Sequence, residues 1–285
     1  MKYVISERLK GLLLVYPGVF FISVEPILIR FSGSSSWNTA FWFGIFIAIS
    51  MSICIRLISG KNIMAQAKMN GYPLLFASML MGCSATSFIT AVQYTSAANS
   101  ILIVSTASLF AAVFSRIFLG EKTHKKTIVS IIIIILCIIG MLYDSLTTGG
   151  LKGNLFALLA TIVIAANQTL MRKYKQLSRM AVVAFGGLAV TLISLPFAKP
   201  MDVPAEGFIA LVIMGFITAP LGRVFISTSI RYLKVAEVGM ITLLQVFLTA
   251  IAAWITFSEI PNTATFIGGS IITLTLAVHT LTGEK

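Results

Sequence analysis

Residues 10–30, KGLLLVYPGVFFISVEPILIR, have a counterpart at residues 152–172, KGNLFALLATIVIAANQTLMR, and the comparison of the two decides the fold. Gly11 opens an apolar run that meets Glu25 after 14 residues and closes at Arg30 after 19. Gly153 opens the second run, which meets Asn167 and Arg172 at the same two intervals. A run of ~20 apolar residues is the length a helix needs to cross the hydrocarbon of a bilayer. Farther along, Tyr94, Ala98 and Glu121 are matched by Tyr232, Ala236 and Glu259, separated by 4 and then 23 residues in both halves. The chain therefore reads as one unit written twice, over 1–146 and 147–285. A unit of five crossings, an odd number, places its second copy upside down relative to the first. Inverted repeats around a midplane site are the architecture of secondary transporters.

Composition names the solvent. Hydrophobic residues make up 58% of the chain and charged residues 11%, against roughly 45–50% and about 25% in soluble domains. Such a chain has too little polar surface for water and reads as an all-α polytopic membrane protein. Apolar runs of spanning length fall at 11–29, 37–57, 72–92, 98–118, 127–146, 153–171, 181–198, 206–230, 236–256 and 263–282. That predicts ten transmembrane helices, as two five-helix repeats around a central cavity.

The net charge of +12 does not point to nucleic acid, because the cations sit in short connections between apolar runs. With the N-terminus in the cytoplasm, 17 Lys and Arg fall inside and 3 (Arg30, Lys152 and Lys199) outside, with Arg223 within a span. This asymmetry places both termini in the cytoplasm of a multi-pass protein of a bacterial inner membrane. The basic flank before the first run imitates a signal peptide, but no small-residue cleavage site follows and the helix is expected to be retained. Cys54, Cys83 and Cys137 fall inside predicted spans without metal-ligand spacing and read as buried apolar side chains. Trp37, Tyr143 and Tyr174 stand at span ends, as in an interfacial aromatic belt.

The segment Ala91-Val92-Gln93-Tyr94-Thr95-Ser96-Ala97-Ala98-Asn99, followed by a helix ending Phe118-Leu119-Gly120-Glu121, resembles the signature of the EamA branch of the drug/metabolite transporter superfamily. The second copy, Ile230-Arg231-Tyr232-Leu233-Lys234-Val235-Ala236-Glu237 running to Ser258-Glu259, is similar but more degraded. The resemblance covers essentially the whole chain. It implies a ten-helix bundle with a central cavity, alternating access, and export or exchange of small metabolites, often amino acids. Read physically, Tyr94-Thr95-Ser96 makes a polar hinge and Ala97-Ala98 lets helix ends approach closely. Glu121 and Glu259 are placed to accept N–H groups at the start of the following helix.

Two ionisable residues stand within the hydrocarbon, Glu25 in the first span and Arg223 in the eighth, and such residues face the bundle interior as functional candidates. At about 1.5 Å rise per residue they differ in depth by roughly 9 Å. A zwitterion fits between them, amine toward Glu25 and carboxylate toward the Arg223 fork; a direct buried salt bridge is the alternative. A third reading has Glu25 take up a proton during coupling, since burial disfavours its charged form. In the repeat register Glu25 aligns with Asn167, followed by Gln168, and Arg223 aligns with Ala85, so the charges are asymmetric on a symmetric scaffold. Pro26, Pro220 and Gly222 predict helix breaks that free backbone groups toward a cavity. Gln245 with Thr242, Ser105 with Ser108, and the aromatics Tyr16, Phe21 and Trp42 complete the candidate substrate contacts.

No enzyme, metal or cofactor signature is present: His124 and His279 build no metal cluster with the cysteines, and no phosphate-cradling glycine loop exists. The sequence thus predicts a gradient-driven carrier of a small polar metabolite, an amino acid or related zwitterion, by efflux. Its partners are that small molecule and the lipid bilayer, with a proton or a counter-exchanged substrate as the coupled species. Uptake or exchange of a larger vitamin or nucleoside-like compound, held by stacking aromatics, is the alternative within transport. A membrane assembly protein with a filled core is the alternative outside it.

Overall fold

The computed structural model describes residues 7–60, 63–120, 125–148, 150–233, 235–259 and 262–282, and every described segment with regular structure is helical. The helices are α1 (Glu7–Phe31), α2 (Ser36–Ser59), α3 (Ile63–Tyr94), α4 (Ala97–Ser105), α5 (Ala107–Leu119), α6 (Lys125–Thr148) and α7 (Leu151–Lys173). There follow α8 (Arg179–Ser194), α9 (Ala205–Ile213), α10 (Ala219–Ser229), α11 (Val235–Thr242), α12 (Leu244–Phe257) and α13 (Thr263–Thr282). Among the described residues, eight segments are long and apolar enough to cross a membrane, α4–α5, α9–α10 and α11–α12 each being counted as one. The seventh and tenth predicted runs form shorter apolar helices, Arg179–Ser194 and Thr263–His279. The seventh stops before its predicted end because Ser194 turns the chain just ahead of Pro196, its carbonyl accepting from Phe197 and Ala198.

Three further departures from the predicted runs have local causes. The third helix begins at Ile63 and kinks at Gly71 (φ 54°), a backbone angle that glycine adopts readily, two residues before Pro73. The fourth run divides at Thr106, where the hydroxyls of Ser105 and Thr106 donate to the Leu102 and Ile103 carbonyls. The ninth divides at Leu243, one position earlier in the repeat register, with Thr242 donating to the Gly239 carbonyl. The cysteines are not uniformly buried either: Cys83 is exposed and Cys54 and Cys137 are half-buried, all as free thiols.

Helices from the two halves interdigitate. α8 packs against both α2 and α3, α7 lies along α3, and α1 lies along α10. One contact occurs twice. Gly153, near the start of α7, sits so close to the Tyr94–Thr95 turn that a Cβ there would lie 2.5 Å from the Thr95 nitrogen. Gly11, near the start of α1, meets Tyr232 and Leu233 in the same way, its Cβ falling 2.5 Å from Leu233 Cγ. In both places the first helix of one half abuts the tyrosine turn of the other. Ser96 then caps α4 by accepting from the Asn99 N–H.

Candidate functional site

α1 and α10 run antiparallel and in close contact, because Gly18 and Gly222 bring their backbones together. A Cβ on Gly222 would lie 3.1 Å from the Gly18 carbonyl oxygen and 2.5 Å from Ile22. Gly222 is therefore a packing residue, and the expected break at Pro220 and Gly222 lies elsewhere. It is a π-helical turn at Met214–Thr218, just ahead of Pro220. Proline disturbs the turn preceding it, having no N–H and crowding the carbonyl four residues back. The Gly215 carbonyl in that turn accepts from the Ser50 hydroxyl of α2 at 2.7 Å. Pro26 breaks nothing: α1 runs unbroken through Pro17 and Pro26.

Close packing of α1 on α10 brings the two intramembrane charges together. Arg223 Nη1 donates to Glu25 Oε1 at 2.6 Å and Nη2 to Oε2 at 3.3 Å, a two-pronged pair. Nη1 also donates to the Ala219 carbonyl at 3.0 Å. The predicted gap of roughly 9 Å is thus absent. The count of helical rise compares backbone positions, whereas the Arg223 side chain reaches back one turn along α10, to the Ala219 carbonyl and Glu25, so no ligand is needed to bridge Glu25 and Arg223. Glu25 is 5% exposed, and both its oxygens are committed. A guanidinium carries five N–H donors, three of which these bonds use. Its Nε and second Nη2 hydrogens remain.

Arg223 lines a cavity of about 790 Å³. Asn167 and Gln168 face it from α7, while Met51, Met81, Met171 and Met180 supply a flexible apolar wall from four helices. Asn167 is 9% exposed, and its Oδ1 is buried with no hydrogen-bond partner. The exposed residues Arg172, Lys175 and Arg179 stand at the end of the cavity where α7 gives way to α8. Its lining residues are drawn from α1, α2, α3, α7, α8 and α10 and the turn between α7 and α8, and among the described residues they include no aromatic and no carboxylate.

The remaining sequence candidates lie outside that lining. Thr242 and Ser105 serve the helix interruptions already described, and Gln245 lies on α12, which does not line the cavity. Tyr16 is exposed on the outer face of α1. Phe21 packs on Phe225, and Trp42 packs on Phe46 and Phe208 while donating to the Pro200 carbonyl at 3.0 Å. These aromatics fill helix contacts, as aromatics in an apolar bundle commonly do. Trp37 lies against Phe197, their rings 4.7 Å apart. Among the described residues no group of acids, histidines and cysteines could hold a metal.

Glu259 does not cap the following helix; it pairs with Arg30. Sequence reading missed this pair by treating charges at span ends as topological markers. A signal existed, since Arg30 is one of only three cations on the sparsely charged side. Glu121, its repeat counterpart, lies outside the described residues, as does His124.

A comparison with curated proteins gives no match. Among solved structures, the fold is similar to one described only as the crystal structure of a protein. The TM-score is 0.67 at 15% identity, over 98% of this chain and 99% of that one. At that identity the likeness concerns the fold alone. The model of the EamA-like transporter family matches the sequence twice, over residues 9–143 and 151–281. With nearly the whole length matched in two copies, the chain belongs to the EamA-like transporter family.

Proposed function

We propose that the protein is a secondary transporter for a small polar metabolite carrying a carboxylate, an amino acid or a related zwitterion, moved by alternating access in the direction of efflux. The observation that carries this reading is the cavity in which Arg223 and Asn167 face the same space. The two uncommitted N–H groups of Arg223 suit a carboxylate, which a guanidinium grips in its own plane. Oδ1 of Asn167, buried beside the cavity without a donor, suits the ammonium when the amide turns into the cavity, because a buried acceptor left without a donor is costly and a ligand donor relieves that cost. A nucleoside-like substrate is disfavoured by the lack of aromatics among the described lining residues.

The repeated glycine contacts at Gly11 and Gly153 support two inverted units of five crossings, 1–146 and 147–285. In this reading the two shorter helices and the eight longer segments make ten spans. Both termini lie in the cytoplasm of a bacterial inner membrane, and the cavity opens there, beside Arg172, Lys175 and Arg179. A cavity open at that end loads from the cytoplasm. Because Arg223 already holds Glu25, a carboxylate on the free Nε–Nη2 edge shares the guanidinium charge with Glu25 and weakens that pair. Glu25 thereby becomes the group that exchanges a proton or trades one substrate for another.

The test is flux in proteoliposomes loaded with a panel of amino acids and other small acids, comparing wild type with Arg223→Ala and Asn167→Ala. At least one substrate of the wild type is expected to lose transport in both variants. Equal rates in all three proteins would refute this assignment of the site.

A further inference from the structure

The end of the bundle remote from the cavity is held by the second charged pair. Arg30, in the last turn of α1, meets Glu259, two residues beyond α12, with each side chain 24% exposed. The same guanidinium donates from Nε to the Val92 carbonyl at 3.1 Å and from Nη2 to the Thr95 carbonyl at 3.3 Å. It also lies 5.7 Å from the centroid of the Phe257 ring. One side chain thus gathers the ends of α1, α3 and α12. Beside it, Gln93 donates to the Ser34 carbonyl and the Thr39 hydroxyl, and accepts from the Ser36 hydroxyl. That network draws α2 onto the end of α3.

The two ends of the molecule are identified by its own contacts. Gly153 touches the Tyr94–Thr95 turn, to which Arg30 is bonded. Arg172 is 19 residues farther along α7, about 28 Å away at the helical rise, and there it lines the cavity. The structure is therefore latched at one end, where Arg30 and Glu259 line a recess of about 340 Å³, and opens to the larger cavity at the other. In the repeat register Arg30 and Arg172 are equivalent positions. One is drawn into a network of carbonyls and a carboxylate, and the other stands exposed beside the open cavity.

An ion pair is a weak choice for a permanent brace, since desolvating two charges offsets most of their attraction, and apolar packing of the same volume holds as well. It suits a contact that must release, because both partners are stable again once water reaches them. We infer that Arg30 and Glu259 form the outer gate of the transport cycle: a latch closed while the cavity is open at the opposite end, and released as that end closes. This rests on the transporter reading above.

The test uses accessibility, which requires no known substrate. Cys54, Cys83 and Cys137 are replaced, and a single cysteine is placed at Ile27, one turn inward of Arg30 and 7% exposed, or at Ser227 in the cavity. A membrane-impermeant maleimide is applied to each face of reconstituted protein. Glu259→Gln is expected to raise labelling of Ile27→Cys from the Arg30 face by roughly tenfold, as loss of one latch shifts a two-state equilibrium. It is expected to lower labelling of Ser227→Cys from the other face, and Glu259→Asp is expected to stay near the parent at both sites. Unchanged labelling of Ile27→Cys would overturn the gate, and so would a rise at both sites, which reports a loosened fold. Neither result bears on the flux assay, so the gate and the transport reading fail separately.

Discussion

The Glu25–Arg223 pair gives the sharpest quantitative prediction. Removing one partner of a buried, two-pronged pair leaves an uncompensated charge, at a typical cost of about 3–5 kcal/mol. Arg223 is 24% exposed at its side chain, toward a cavity wide enough for water. Hydration of the orphaned guanidinium therefore brings Glu25→Ala to about 2–3 kcal/mol. Glu25→Gln keeps the volume and one acceptor for Arg223 Nη1, and is expected to lose about 1–2 kcal/mol. The double variant Glu25→Met/Arg223→Met replaces the pair by apolar side chains between α1 and α10. It should fall within about 1 kcal/mol of wild type. Unfolding followed by far-UV circular dichroism, with denaturing detergent titrated into mixed micelles, yields these stabilities and, with the single variants Glu25→Met and Arg223→Met added, the coupling energy. A Glu25→Ala loss below about 0.5 kcal/mol would mean that the pair is solvated and not structural. A double variant as damaged as the sum of the single ones would mean that the two residues act independently.

Two other substitutions separate packing from binding. Gly153→Ala puts a methyl against the backbone of Thr95 and should destabilise by about 1–3 kcal/mol, whereas Gly140→Ala, with nothing within 4 Å, should be neutral or slightly stabilising; thermal melts compare the two. Asn167→Leu removes a buried acceptor that has no partner, so stability is expected to hold or rise by up to about 1 kcal/mol while flux is lost. A variant that melts well below wild type would show that the amide holds the fold.

The elements themselves were legible because period and length are written in apolar runs, and a bilayer tolerates few other readings. The residues most exceptional in that background, Glu25 and Arg223, were legible for the same reason. Their direct contact was not, since it depends on how closely α1 and α10 approach, which Gly18 and Gly222 decide across 204 residues of sequence. The hydroxyls of Ser105 and Thr242 bond to carbonyls of their own helices, which the sequence does not distinguish from a place in the cavity. A Ser or Thr in an apolar helix looks the same in sequence whether it meets a ligand or a carbonyl of its own helix. The same holds for the candidate aromatics, because Trp42 and Phe21 meet packing partners on helices more than 150 residues away.

What the repeat comparison does supply is a reason for one acceptor to be left bare. In the first half the polar position on α1 is a carboxylate, and the second half provides Arg223 to hold it. In the second half the same register position is Asn167, and the first half offers Ala85, on the helix packed against α7, where Arg223 would stand. A carboxylate at 167 without that arginine would be an unpaired buried charge, which the apolar surroundings do not tolerate. An apolar side chain there would leave Gln168 and Ser227 as the side-chain acceptors of the cavity wall. The neutral amide lies between these limits, polar without being so charged as to require a permanent partner. In the proposed transporter the broken symmetry therefore divides the labour: the complete pair joins α1 to α10, and the incomplete one leaves Oδ1 of Asn167 unpaired beside the cavity.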